Sequence, residues 1–190
     1  MSKRRVVVTG LGHISPIGNT VEAAWQSLIA GKSGIAPITR FDASQLNTQF
    51  AGEVKDLDIE GYIPRKEARH MDFFMQYGVA AALQAIADAK LDDYEELDKT
   101  RVGVIIGSGI GGVDNIEQLT LQLEGQDKPR VSPFFIPSTI SNLIAGHITL
   151  MKGYRGPSYA LSSACTTGTH SIGDTVMMIQ SGRILSLIHI

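Results

Sequence analysis

The 190-residue chain has a single cysteine, Cys165. One thiol excludes an intrachain disulfide framework and fits a reducing compartment. It also lacks charge of one sign. Lys and Arg number 17 against 19 Asp and Glu, a net charge of -2 that gives no overall pull towards nucleic acid. Long apolar runs are missing too. The N-terminal run Val6-Val7-Val8, behind Met1-Ser2-Lys3-Arg4-Arg5, is too short for a membrane helix or a signal peptide. The expectation is a cytoplasmic protein. No internal repeat or low-complexity segment stands out. What is present is the composition of an α/β protein, 43% hydrophobic, long enough for one domain or one large fragment with a real core.

The chain is organised around Ser162-Ser163-Ala164-Cys165-Thr166-Thr167-Gly168-Thr169. Pro157 to Leu161 reads as a short strand, and His170 to Ser181 as a helix with Ile172, Val176 and Ile179 on one face. Cys165 therefore falls where a strand turns into a helix N-terminus. The free N–H groups and dipole at such an end favour negative charge on sulfur, which suits covalent acyl chemistry. A small hydrophobe buried in the core is the competing reading of a lone cysteine.

Elsewhere the pattern alternates between strand and helix. Arg5 to Thr9 reads as a buried β-branched strand ending at Gly10. Asn19 with Glu22 reads as the cap of a helix facing inward through Val21, Ala24, Trp25 and Leu28 and stopped by Gly31. Phe50 to Val54 allows a short strand. Arg65 to His70 places Lys66, Arg69 and His70 on one side of a turn, either as a solvated basic face or as a dock for an acidic partner. Asp72 to Ala89 is apolar nearly all round, so it reads as a helix buried between layers.

Val102 to Ile106 reads as a second buried strand, followed by Gly107-Ser108-Gly109-Ile110-Gly111-Gly112 and a helix from Val113 to Leu123. The glycine spacing matches a dinucleotide fingerprint, which would make the chain an NAD(P)-binding oxidoreductase. No strand with an acidic end follows about 20 residues on, so a tight turn lining a pocket is the favoured reading. Ser132-Pro133-Phe134-Phe135-Ile136-Pro137 is a stiff apolar loop suited to an interface or a lipid-like pocket. Ser138 to Met151 then reads as one helix, ended by Lys152-Gly153.

Seven ordered blocks resemble the N-terminal half of the β-ketoacyl-[acyl carrier protein] synthases of type II, condensing enzymes of bacterial fatty-acid synthesis. They are Arg4 to Gly12, Ser15 to Thr20, Gly107 to Gly112, Ser132 to Thr139, Ala145-Gly146-His147, Arg155 to Ser158 and Ala164-Cys165-Thr166. The resemblance implies an α/β, thiolase-like layered α-β-α fold, here the first half of a pseudo-duplicated architecture. It implies that Cys165 takes an acyl chain from acyl carrier protein, with its backbone N–H as an oxyanion donor. It further implies that Ile110 and Phe135 line the acyl pocket, Phe135 from the opposite subunit of a homodimer. Lys66, Arg69 and Arg130 match a basic surface for the acidic carrier protein, and the strand around Ser158 to Leu161 matches one that pairs across the dimer axis. No metal or organic cofactor is implied.

The family is about twice this length. Its two enolate-stabilising histidines, a lysine and a gating phenylalanine lie in the second half. The histidines of this chain have no matching role: His170 lies five residues past Cys165, and His13 and His147 fall in family segments without catalytic function. A pairing of His13 with Cys165 is left open. After Gly182-Arg183 the family pattern stops, and Leu185 to Ile190 reads like the translation of a sequencing-library adapter. The expected organisation is an incomplete synthase domain over 1–184 and a foreign tail over 185–190. Such a half is expected to expose an apolar face and to lack condensation activity. A non-catalytic interaction fragment is the third reading.

Overall fold

In the computed structural model, which describes residues 4–124, 127 and 130–189, the organising element is strand β3, Val102–Gly107. Its first five residues are buried. It is flanked on both sides by parallel neighbours, β4 (Ser158–Leu161) and β5 (Ser186–His189). Val104 faces Ser158 on one side, and Val102 faces Ser186 on the other. A strand buried on both faces reads as a continuous apolar run rather than an alternation, and Val-Gly-Val-Ile-Ile is such a run.

Alternate residues of β3 feed two different layers. Val102, Val104 and Ile106 join a core with Met75, Val79, Ala82 and Ile86 of α3 (Phe73–Asp88) and Ile144, Ala145 and Ile148 of α6 (Leu143–Lys152). Ile105, also fully buried, points to the other face, where α7 (Thr167–Gln180) lies. A Cβ at Gly107 would come within 2.9 Å of Thr167 Cγ2 and 3.2 Å of Ser171 Oγ, so strand and helix are in near-backbone contact there. The result is the α-β-α layering expected.

Helix α3 is covered on a second side by the N-terminal segment. A Cβ on Gly12 would fall 1.8 Å from the Ala81 carbonyl oxygen, and one on Gly10 would fall 2.2 Å from that of Ala85. The Leu11 N–H donates to Asp88 Oδ2 at 2.9 Å. A hairpin of β1 (Ile35–Pro37) and β2 (Phe50–Gly52) sits beside it, antiparallel, with Ala36 opposite Ala51. The Arg40 guanidinium, 4.1 Å from the Phe73 ring centroid, also donates to the Tyr77 hydroxyl, so α3 takes hold of the segment that follows β1.

Five expectations are corrected. Arg5 to Thr9 is not a buried strand: it makes no strand pairing among the described residues, and Val7 and Val8 are 64% and 79% exposed. β-Branched composition favours extended backbone, but a strand also needs a ladder, and both edges of β3 are taken, by β4 and β5. Helix α1 (Val21–Ile29) is capped by Thr20, whose Oγ1 accepts from the Ala23 N–H at 3.1 Å, not by Asn19. Of its expected inner face only Ala24 is buried, while Val21, Trp25 and Leu28 are exposed. The Ser138 to Met151 helix is two: α5 (Phe135–Thr139) and α6, parted at Ile140-Ser141-Asn142. Helix α7 turns Thr167 and Ser171 inward, and leaves Ile172 53% exposed.

Candidate functional site

Parallel strands β3 and β4 end side by side, and the loops leaving their C-terminal ends meet. Such a crevice is where open α/β sheets bind ligands. From β4 the chain passes into a 3-10 turn, Ala164–Thr166, and then directly into α7. Cys165 lies in that turn, at the helix N-terminus where the sequence placed it, and it is exposed. The reading of a buried hydrophobe is thereby set aside. From β3 the chain passes into Gly107 to Gly112, then α4 (Val113–Leu123), over the bounds expected. Ser162 Oγ donates to the Gly109 carbonyl at 3.0 Å and the Ser108 N–H to the Leu161 carbonyl at 3.3 Å, so the two loops are tied together.

The cysteine turn is strained. Ala164 has φ 50°, a left-handed value that costs an L-residue roughly 1–2 kcal/mol. It is held by a local set of bonds. The Ser163 N–H donates to Thr167 Oγ1 at 2.8 Å, and that hydroxyl donates in turn to the Ala164 carbonyl at 2.7 Å. Ser163 Oγ and His170 Nδ1 lie 2.7 Å apart. Sequence spacing alone gave His170 no partner. The signal was available, since residues seven apart lie on one helix face, but Ser163 precedes the helix.

The Gly107 to Gly112 loop is not shaped for a pyrophosphate. Gly111 takes φ 101°, and a Cβ on Gly112 would come within 2.9 Å of both Asp72 Oδ2 and the Thr139 Cα. Two donors at the start of α4 are already used by the protein itself. The Gly112 N–H donates to the Thr139 carbonyl at 2.8 Å, and the Asn115 N–H to Asp72 Oδ2 at 2.9 Å. Asp72 is buried and also receives the Phe74 N–H, so one carboxylate caps two helices, α3 and α4. An anion at that helix end would meet this carboxylate. The sequence marked Asp72 as a helix start but carried no sign of its second role.

The other expected site residues form a second group. Arg69, Arg130 and Phe135 line one cleft of about 260 Å³, together with His70, Phe134 and Asn115. The His70 and Phe134 rings stack at 3.9 Å. Lys66 is exposed on α2 (Arg65–Ala68) and does not line the cleft. Ile110 is 80% exposed, so it bounds no closed pocket here. Phe135 is half-buried at the start of α5. The cleft and the loop beside the cysteine turn are linked through α5, whose Thr139 carbonyl receives the Gly112 N–H, and none of residues 162–169 lines the cleft.

Comparison with known proteins follows the same outline. The family model for "Beta-ketoacyl synthase, N-terminal domain" matches residues 3–188. A 3-oxoacyl-[acyl-carrier-protein] synthase 2 of Vibrio harveyi is 54% identical over 182 residues, 96% of this chain and 44% of that protein. The protein of the same name from Synechocystis sp. is 45% identical over 188 residues, 99% of this chain and 45% of its own length. The chain thus spans less than half the length of these curated relatives. Among solved structures, the ishigamide ketosynthase/chain length factor superposes with a TM-score of 0.86 at 30% identity, over 96% of this chain and 46% of that one. A type II PKS acyl-carrier protein in complex with its ketosynthase, bound to the hexaketide, gives 0.80 at 27% identity, over 96% and 49%.

Proposed function

The chain belongs to the β-ketoacyl synthase family, and on that premise we propose that it is the acyl-accepting half of a fatty-acid condensing enzyme. Cys165 Sγ attacks the carbonyl carbon of an acyl thioester carried by acyl carrier protein. A new thioester forms on Cys165, and the carrier leaves as its free thiol with the proton. The Cys165 backbone N–H serves as one oxyanion donor. The observation that supports this most directly is the exposed cysteine on a strained turn at the mouth of two parallel strands. In the full-length enzyme, decarboxylation of a malonyl thioester then supplies the carbanion that condenses with the acyl group.

Two features fit the partners of that reaction. Arg69 and Arg130 share one cleft, and Lys66 stands on the adjoining helix, a cationic surface for an acidic carrier protein. β4 has an open outer edge, on which Ser158 is exposed, where a second copy can add its own strand. Ile110 and Phe135 line the acyl chain in that assembled enzyme. The reading needs no metal or organic cofactor and places the protein in the cytoplasm. Among the described residues no helix is long and apolar enough to cross a membrane. The synthase domain is read as 1–184 with a foreign tail over 185–190. Sequencing the gene past codon 184 tests that, and an uninterrupted native reading frame through Ile190 refutes it.

The functional test is transfer without condensation. Incubated with an acyl carrier protein thioester, the chain gains one acyl mass, mapped to Cys165 and absent from Cys165→Ala. Added malonyl carrier yields no β-ketoacyl product from this chain alone. No acyl adduct on folded protein overturns the nucleophile assignment.

A further inference from the structure

We propose that His170 is a positioning residue for Cys165. Its Nδ1 holds the Ser163 hydroxyl and so keeps the strained turn that presents the thiol. The proposal rests on Cys165 as the acyl-accepting nucleophile. Ser163 and Cys165 flank Ala164, the residue at φ 50°. A non-glycine residue stays in that region when its surroundings over-determine it. The bonds from Ser163 N–H to Thr167 Oγ1, from Thr167 Oγ1 to the Ala164 carbonyl, and from Thr166 N–H to the Ser163 carbonyl all lie within residues 163–167. They tie the turn to Thr167, the first residue of α7, and to nothing further along the helix.

The 2.7 Å contact from Ser163 Oγ to His170 Nδ1 fixes the turn to the body of α7, because His170 sits one turn further into the helix. With the ring proton on Nε2 the hydroxyl donates to Nδ1, and with the proton on Nδ1 it accepts, so either neutral tautomer keeps the bond. At the other end, Ser162 Oγ is bonded to Gly109. Cys165 is thus held between the β3 loop and α7. His170 is exposed, so its ring adds little to core packing, and its effect on the thiol is separable from an effect on stability.

The experiment follows alkylation of Cys165 by iodoacetamide in the 190-residue chain, with intact-mass detection. The chain has one cysteine, so the adduct is unambiguous. Releasing the turn moves the sulfur off the α7 N-terminus, and His170→Ala and Ser163→Ala each slow alkylation about fivefold. The double variant slows no further than either single one. His170→Asn, whose amide reaches the place of Nδ1, restores the rate, and His170→Gln, which reaches the place of Nε2, does not. Melting temperatures stay close to that of the parent. Alkylation of Ser163→Ala at the parent rate, or double-variant losses that multiply, overturns the proposal. If these rates follow the stated pattern while a carrier thioester leaves no acyl group on Cys165, the positioning role stands and the acyl-transfer reading fails.

Discussion

The Ser162 hydroxyl donates to the Gly109 carbonyl at 3.0 Å, fastening the turn that carries Cys165 to the loop that carries Ile110. Ser162→Ala removes the donor while leaving an acceptor that water can reach. The expected loss of stability is about 0.5–1.5 kcal/mol. Urea unfolding monitored by circular dichroism checks it, with the midpoint falling and the slope unchanged. A rise in the midpoint contradicts the tie between the loops.

Ile105 faces α7 and Ile172 lies on it, yet the first is fully buried and the second 53% exposed. Ile105→Ala deletes core contacts and leaves a cavity, at a cost of about 2–5 kcal/mol. Ile172→Ala changes stability by less than about 0.5 kcal/mol in this chain. Equal costs at the two sites in the same urea series would show that α7 is turned the other way.

That contrast marks what the sequence carried. β3 was legible because a strand buried on both faces must be apolar throughout, and α4 because glycines precede it. α3 was legible because its apolar residues surround the helix. The inner face of α7 was not, because Thr167 and Ser171 are polar by type. Their hydroxyls are satisfied within the helix, Thr167 Oγ1 by the Ala164 carbonyl and Ser171 Oγ by the Thr167 carbonyl, so both can be buried against β3. The break between α5 and α6 has no glycine or proline at Ile140-Ser141-Asn142 to announce it. Arg5 to Thr9 failed for another reason: whether an extended run pairs depends on neighbours supplied from elsewhere in the chain. At the site, Cys165 was found through its place between strand and helix. The bond between Ser163 and His170 and the double capping by Asp72 depend on tertiary approach.

Gly12 lies where an added Cβ would meet the Ala81 carbonyl oxygen at 1.8 Å. Backbone cannot yield as a flexible side chain does, so Gly12→Ala pushes the N-terminal segment off α3. The expected cost is about 1–3 kcal/mol. Limited proteolysis cuts the variant before Ser15 faster than the parent. Equal cutting rates contradict the close approach.

His147 has its pKa lowered from 6.5, chiefly because burial disfavours the charged ring, with Glu67 opposing the shift. The unfolded chain therefore binds this proton at a higher pH than the folded one. The contribution is intact above the ordinary histidine value of 6.5 and is lost as pH falls through the lower folded value. His147→Gln flattens that part of the stability profile, read as urea midpoints across the acid range. A parent and variant with parallel profiles there refute the assignment.

β3 is the centre of the sheet, yet both of its neighbours come from far along the chain: Val104 waits for Ser158, and Val102 for Ser186. During synthesis the most apolar strand leaves the ribosome long before either partner exists. Sheet closure is thus a late, long-range event, slow by its contact order. Until then Val102 to Ile106 is a bare ladder in a growing polypeptide, so the yield of folded protein is governed by how well that strand is shielded until Ser158 to Leu161 and Ser186 to His189 have been made.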